Sequence, residues 1–316
     1  MGALALAARP IHSRSWALQR IRGFRTWLLI LISFLVLGPL LVLLIETFRP
    51  AGQLAFSGRS WTINNYIDVF ARVSTYSLLL NTLLYAVVSM AIALPIAFTL
   101  AWLTERTDLP GRNLLYSLMF IPMVMPGFAI ALGWIFLLGP SDGTINQFLR
   151  WLFHLQVTRG PLNIYTVWGM AFVTALLCVP SMWLVLLALF RNFDPRMEEA
   201  AAAAGGRPRE TLLRVTVPLM LPGIAGVIAY FSIVMIETFD VPLAIGSTTG
   251  VSVLSTKIYA LTQRAVEGFN YGSAATFGLI SIAAGVLLML AYFRIVRVSQ
   301  RFAVVSGKGY QPKRIK

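Results

Sequence analysis

Four acidic residues stand out by their setting. Glu198 and Glu199 open an alanine run, Ala200 to Ala204, that closes on Gly205-Gly206. Glu237 and Asp240 lie at the far end of a long apolar stretch, where a carboxylate is costly and tends to be functional. Acids so placed can line the entrance of a path for a cation, and an acidic, alanine-rich helix can fit a groove on another protein. Hydrolytic, redox and metal chemistry find little support. His12 and His154 are far apart, and Cys178, the one cysteine, lies in an apolar run. No His-Glu-x-x-His, Cys/His cluster or phosphate-loop glycine-lysine pattern occurs. No catalytic residue, resident metal or cofactor is expected.

The elements that must position these residues follow from composition. Of 316 residues, 58% are hydrophobic and 12% are charged, about half the charge of a soluble domain. The net charge of +14 would suggest nucleic acid in a soluble protein. Here the bases are separated by apolar stretches of about 20 residues, each able to cross a hydrocarbon core of about 30 Å. The partner is therefore the lipid bilayer, not nucleic acid. Six spans are expected, near 27–47, 83–103, 114–138, 165–190, 219–242 and 277–296. The first is expected to stay uncleaved, because its apolar run exceeds a signal segment and ends on Glu46 and Arg49.

Orientation comes from the bases between spans. The N-terminal tail, the 104–113 connection, the 191–217 connection and the C-terminal tail hold 19 Lys and Arg, against seven in the three opposite segments. Both termini are thus expected in the cytoplasm. The chain divides into a cytoplasmic tail at 1–26, a membrane domain at 27–296 and a basic tail at 297–316, with a long cytoplasmic connection at 191–218. External segments 145–155 and 253–266 have helical amphipathic spacing, the latter ending at Gly268. Pro122 and Pro126 crowd the third span, as an ordinary kink or as a bent helix lining a pathway.

The long connection reads as helix, turn, helix. Asp194 caps, Pro195 suits the first helical position, and Glu198 and Glu199 meet the positive end of the dipole. Gly205-Gly206 ends the helix, Pro208 starts a second short helix through Arg214, and Pro218 enters the fifth span. Glu199-Ala200-Ala201, three residues, Gly205, nine residues and Val215-Thr216-Val217-Pro218 resemble the E-A-A-x3-G-x9-I-x-L-P motif of permease subunits of binding-protein-dependent ABC importers. Val215 for Ile and Val217 for Leu are conservative departures. The resemblance covers nearly the whole chain and implies an all-α membrane protein with the type I importer permease fold of six helices. It further implies a coupling helix docked on a dimer of cytoplasmic ABC ATPases, with Glu199, Ala200 and Ala201 facing the ATPase and Gly205 setting the turn. Glu198, Gly206, Val215 and Pro218 complete the expected coupling set. A second permease subunit, the same or a related chain, and a periplasmic or surface-anchored substrate-binding protein are the other implied partners, in the inner membrane of a bacterium.

A narrower resemblance concerns cargo. Thr238-Phe239-Asp240-Val241-Pro242-Leu243-Ala244-Ile245-Gly246, then Ser255-Thr256-Lys257-Ile258-Tyr259, is similar to the first half of iron(III)-type permeases, in which two six-span halves are commonly fused. Val305 to Pro312 resembles the segment joining those halves. Ferric iron is the implied cargo, with polyamine, thiamine and aminoethylphosphonate permeases as related alternatives. Glu237 and Asp240, at i, i+3 on one helix face, are expected at the outer mouth of the pathway, with Pro122 and Pro126 along it. A self-contained secondary transporter or an intramembrane enzyme would instead require inverted repeats, mid-membrane charges or a catalytic constellation.

Overall fold

The computed structural model describes residues 12–53, 60–248, 250–263 and 270–299. The first eleven residues, Val305–Pro312 and the end of the 253–266 segment with Gly268 lie outside them. The described chain is helical throughout, with no strand among the described residues. A backbone in lipid must satisfy its polar groups internally, and a helix does so within one segment.

The chain opens with α1, His12–Glu46, and the short α2, Asn64–Ala71. The 34-residue α3, Val73–Arg106, follows. Next come α4, Arg112–Val124, and α5, Gly127–Leu138, then the outlying α6, Thr144–Leu152. After α7, Val167–Asn192, the chain forms α8, Arg196–Ala203, and α9, Pro208–Thr211. A π-helical turn at Leu212–Thr216 leads into α10, Val217–Glu237. A second π turn at Pro242–Gly246 precedes α11, Leu254–Thr262, and α12, Tyr271–Ser299.

Five stretches are long and apolar enough to cross a membrane: Phe24–Glu46, Val73–Arg106, Val167–Asn192, Pro208–Glu237 and Tyr271–Arg297. The third expected span is different. It is split into α4 and α5, which meet at an angle of 105°. Pro126 cannot donate to the carbonyl of Pro122, which instead accepts from the Met125 N–H at 3.3 Å, and the chain turns there. The fifth span also departs from expectation. Its helix begins eleven residues before the expected span, because the helix that Pro208 starts runs on without interruption to Glu237. Pro218 has no N–H and its ring crowds the preceding turn. The backbone widens to accommodate it, and the N–H of Val217 reaches back five residues to Leu212.

The core is the seam between α3 and α7. Ala93, Ala97 and Ala101 on α3 are fully buried, opposite Met182, Trp183, Leu186 and Phe190 on α7. Small side chains on one helix let large ones on the other fill the gap, which is how membrane helices associate without a hydrophobic drive. α10 closes this cluster with Met220, Ile224, Val227, Phe231 and Met235. In contrast, α1, α4 and α12 carry many exposed apolar side chains, such as Phe34, Ile121 and Leu287, as a lipid-facing surface does.

At the end of the bundle remote from α8, polar side chains tie the connections down. The Asn146 amide donates to the carbonyls of Leu138, Gly139 and Leu162, and its oxygen accepts from the Leu162 N–H at 3.0 Å. Asn146 is fully buried, so these groups have no water to fall back on. Asn65 does the same for the end of α1, donating to the carbonyls of Thr47 and Arg49. Asn146→Ala leaves buried backbone groups unmatched at about 1–3 kcal/mol each. The thermal unfolding midpoint of the purified protein is expected to fall by several degrees, whereas Gln147→Ala, at an exposed position on α6, leaves it within a degree or so.

Candidate coupling helix and the ionic clasp beneath it

The long connection folds as its residues require. The Asp194 carboxylate accepts from the Arg196 N–H at 3.0 Å and starts α8. At the other end Gly205 takes φ +87°, a conformation open to glycine at little cost. Gly205 N–H bonds to Ala202 O and Gly206 N–H to Ala201 O, both at 3.0 Å. This pair of bonds is a Schellman motif. It fixes both the length of α8 and the direction in which the chain leaves it.

The two glutamates of α8 do different work. Glu199 and Ala200 are exposed, and Ala201 is half-buried. Glu198, placed with them in the expected coupling set, points into the protein. Its Oε2 lies 2.8 Å from Nε of Arg106, and its Oε1 accepts from the Thr216 hydroxyl at 2.7 Å. Positions 198 and 201, three apart on a helix of 3.6 residues per turn, lie on the side that turns inward, and both are half-buried. Val215 is half-buried in the π turn, Gly206 is half-buried, and Pro218 is exposed at the second residue of α10.

Arg106 had counted in the sequence only as one more base between spans. It is the last residue of α3 and is 3% exposed. Besides Glu198, its guanidinium donates to Phe190 O at 2.9 Å and Phe193 O at 3.4 Å, at the end of α7. Arg106 therefore ties together α3, α7, α8 and, through Thr216, the start of α10. Its neighbour Glu105 forms a second knot. Glu105 Oε1 lies 3.0 Å from Arg112 Nη2 on α4 and 3.0 Å from Arg191 Nε and Nη2 on α7. Arg191 also donates to the Tyr116 hydroxyl at 2.7 Å. The available signal was an adjacent acid and base, Glu105-Arg106, ending one apolar run while Arg191 ends another.

Two helix breaks meet elsewhere. α10 stops at Glu237, and Thr238 extends with ψ 129°, so Glu237 and Asp240 do not share one helix face as their spacing suggested. Pro242 cannot donate to Thr238 O, and the Ser255 hydroxyl takes that carbonyl at 2.8 Å. Asp240 is thereby set against the α4/α5 break. A Cβ added to Gly127 would fall 2.8 Å from Asp240 Oδ2, so a side chain there would push the carboxylate aside. Glu237, Asp240 and Pro126 are exposed and Pro122 is half-buried.

Comparison with known proteins decides the family. The model of the family described as binding-protein-dependent transport system inner membrane component matches residues 93–303. The chain belongs to that family. As a member of this inner membrane component family it is a multi-pass bacterial membrane protein. It resembles the ferric transport system permease protein of Actinobacillus pleuropneumoniae, with 25% identity over 290 residues, 90% of this chain and 39% of the relative. The putative ferric permease of Haemophilus influenzae is 26% identical, over 90% of this chain and 42% of its own length. The chain thus spans about two-fifths of the length of these two relatives. The sulfate transport system permease protein of Salmonella typhimurium is 29% identical, over 83% of this chain and 88% of its own. Among solved structures, that of a bacterial ABC transporter involved in the import of alginate superposes with a TM-score of 0.70 at 19% identity, over 92% of this chain and 98% of that one. The type I ABC importer permease fold expected from the sequence is the fold observed.

Removing the inward glutamate leaves Arg106 buried with its charge uncompensated, a loss of about 3 kcal/mol. In Glu198→Ala, amide hydrogen exchange across Arg196–Ala203 is expected to quicken about tenfold or more. In Glu199→Gln it stays near the wild-type rate. Equal acceleration in both variants would contradict the assignment of the two glutamates.

Proposed function

We propose that this chain is the transmembrane subunit of an ATP-driven importer, and that α8 is its coupling helix. The observation that carries this reading is the division of labour on α8. An exposed face with Glu199 and Ala200 is available to a partner, while Glu198 joins the same short helix to α3, α7 and α10. A push on α8 is thus delivered to three membrane-crossing elements at once, as a rigid lever requires. The partners are a pair of cytoplasmic ATPase subunits at α8, a second permease subunit, identical or related, and a substrate-binding protein at the opposite end. This chain contributes no ATP hydrolysis. The end carrying α8, Arg106, Arg112 and Arg191 faces the cytoplasm, in keeping with the excess of bases there.

The pathway follows the surface where the two helix breaks meet. Asp240 and Glu237 supply its acidic groups, and Pro122 and Pro126 shape the bend beside it. Broken helices are tolerated at membrane depth where they are covered by protein or line a cavity. Ferric iron is the proposed cargo. It is supported by the resemblance at 238–246 and 255–259 and by the ferric permease relatives, each aligned over 90% of this chain. Sulfate is the competing cargo, given the 29% identical sulfate relative.

The coupling reading is tested by Glu199→Lys and Gly205→Glu in the reconstituted transporter. Both are expected to retain the folded permease while abolishing transport-coupled ATP hydrolysis; full coupling in both would refute it. Cargo is tested separately, by uptake of labelled ferric iron and labelled sulfate in cells with and without the chain. Iron uptake is expected to depend on it and to drop at least several-fold in Glu237→Gln/Asp240→Asn. Loss of sulfate uptake alone would overturn the cargo while leaving the coupling helix intact.

A further inference from the structure

A cavity of about 490 Å³ lies at the end of the bundle remote from α8. It opens where α2, the first turns of α3, α11 and the start of α12 converge. Its volume falls within the range of small-molecule sites, yet its lining is polar. Arg72 and Lys257 bring two positive charges against the single carboxylate of Asp68, and Thr75, Asn81 and Ser273 add hydroxyl and amide groups.

Two of these groups have no evident structural employment. Thr75 is 2% exposed, and its hydroxyl makes no hydrogen bond among the described residues, although its backbone N–H is bonded to Arg72 O at 3.0 Å. One helical turn and a half further along, the Asn81 amide is half-buried and likewise makes none. Contrast Thr82, whose hydroxyl donates to Leu78 O and accepts from the Leu254 N–H, each below 3 Å. Both groups line the cavity and hold no bond to the chain there, so a ligand that displaces water from them can bond to both. Lys257 has a further interaction within the chain, and Arg72 is exposed at the rim.

We propose that this cavity binds a phosphorylated polyol of the glycerol phosphate class. The phosphate is held by Arg72 and Lys257, and the hydroxyls by Asp68, Thr75 and Asn81. Arginine and lysine are the side chains that recognise phosphate, while a carboxylate and an amide within the same cavity require hydroxyl groups on the ligand rather than a bare anion. Two sources offer this chemistry. One is a free glycerol phosphate. The other is the headgroup of phosphatidylglycerol, since the first turns of α3 beside the cavity also expose Val73, Tyr76 and Leu80, an apolar strip on which acyl chains can lie. The site is independent of the coupling reading and of the cargo.

The test uses the full-length chain with its transporter partners in nanodiscs, read by thermal unfolding. In phosphatidylcholine discs, glycerol 3-phosphate is expected to raise the midpoint saturably, with glycerol and chloride at matched ionic strength as controls. If the rise appears only when phosphatidylglycerol replaces phosphatidylcholine, the lipid is the source. In either case Arg72→Gln is expected to weaken the response about tenfold or more, and Asn81→Leu, a change of similar volume in a membrane helix, to weaken it several-fold. No rise with either source, or the same rise in both variants as in the wild type, would overturn the site.

Discussion

A guanidinium buried at the end of a membrane helix has to be neutralised by something fixed, and the residues chosen to do it determine which helices move together. Arg106 is that group. Its charge is met by Glu198 from the cytoplasmic connection, and its Nη2 donates to carbonyls at the end of α7. A buried ion pair of this kind adds little net stability compared with an apolar pair of similar size, but breaking one side of it is costly. Its value here is therefore connection. The short α8 helix is bound to the α3/α7 seam by a link that cannot loosen without stranding a charge.

The rest of the architecture is consistent with that role. The seam to which α8 is fastened is a buried core, with alanines of α3 against Trp183 and Phe190 of α7. Such a core transmits displacement rather than absorbing it. The second knot, Glu105 with Arg112 and Arg191, ties α4 to the same seam. α4 then leads to the 105° break at Pro126, where Gly127 meets Asp240. A continuous run of packed and ion-paired elements thus joins α8 to the surface proposed as the pathway.

Much of this was legible in the sequence. Alanine run, glycine pair and proline spacing located α8 and its turn, because those features act through local backbone physics. The apolar stretches located the spans for the same reason. What escaped was set by tertiary context. Glu198 and Glu199 look equivalent as neighbours in a chain, and only the packing of α8 on Arg106 separates them. Pro122 and Pro126 announced a bend, but its angle depends on the partners of the freed carbonyls. Glu237 and Asp240 had helical spacing, but Thr238 between them is extended, its carbonyl taken by Ser255 from a later segment. Arg106 carried no local signal beyond its charge and its acidic neighbour Glu105 at the end of an apolar run.

The central claim is that Arg106 and Glu198 act as one unit in coupling, and a double-mutant cycle on ATP hydrolysed per cargo transported tests it most directly. Arg106→Met and Glu198→Met are each expected to uncouple the transporter strongly, since each strands a charge. The double variant, with an apolar pair in place of the ion pair, is expected to be no worse than the poorer single variant and to recover part of the coupling. Losses that simply multiply in the double variant would show that the two residues act separately, and would contradict the clasp as the route by which α8 moves the membrane helices.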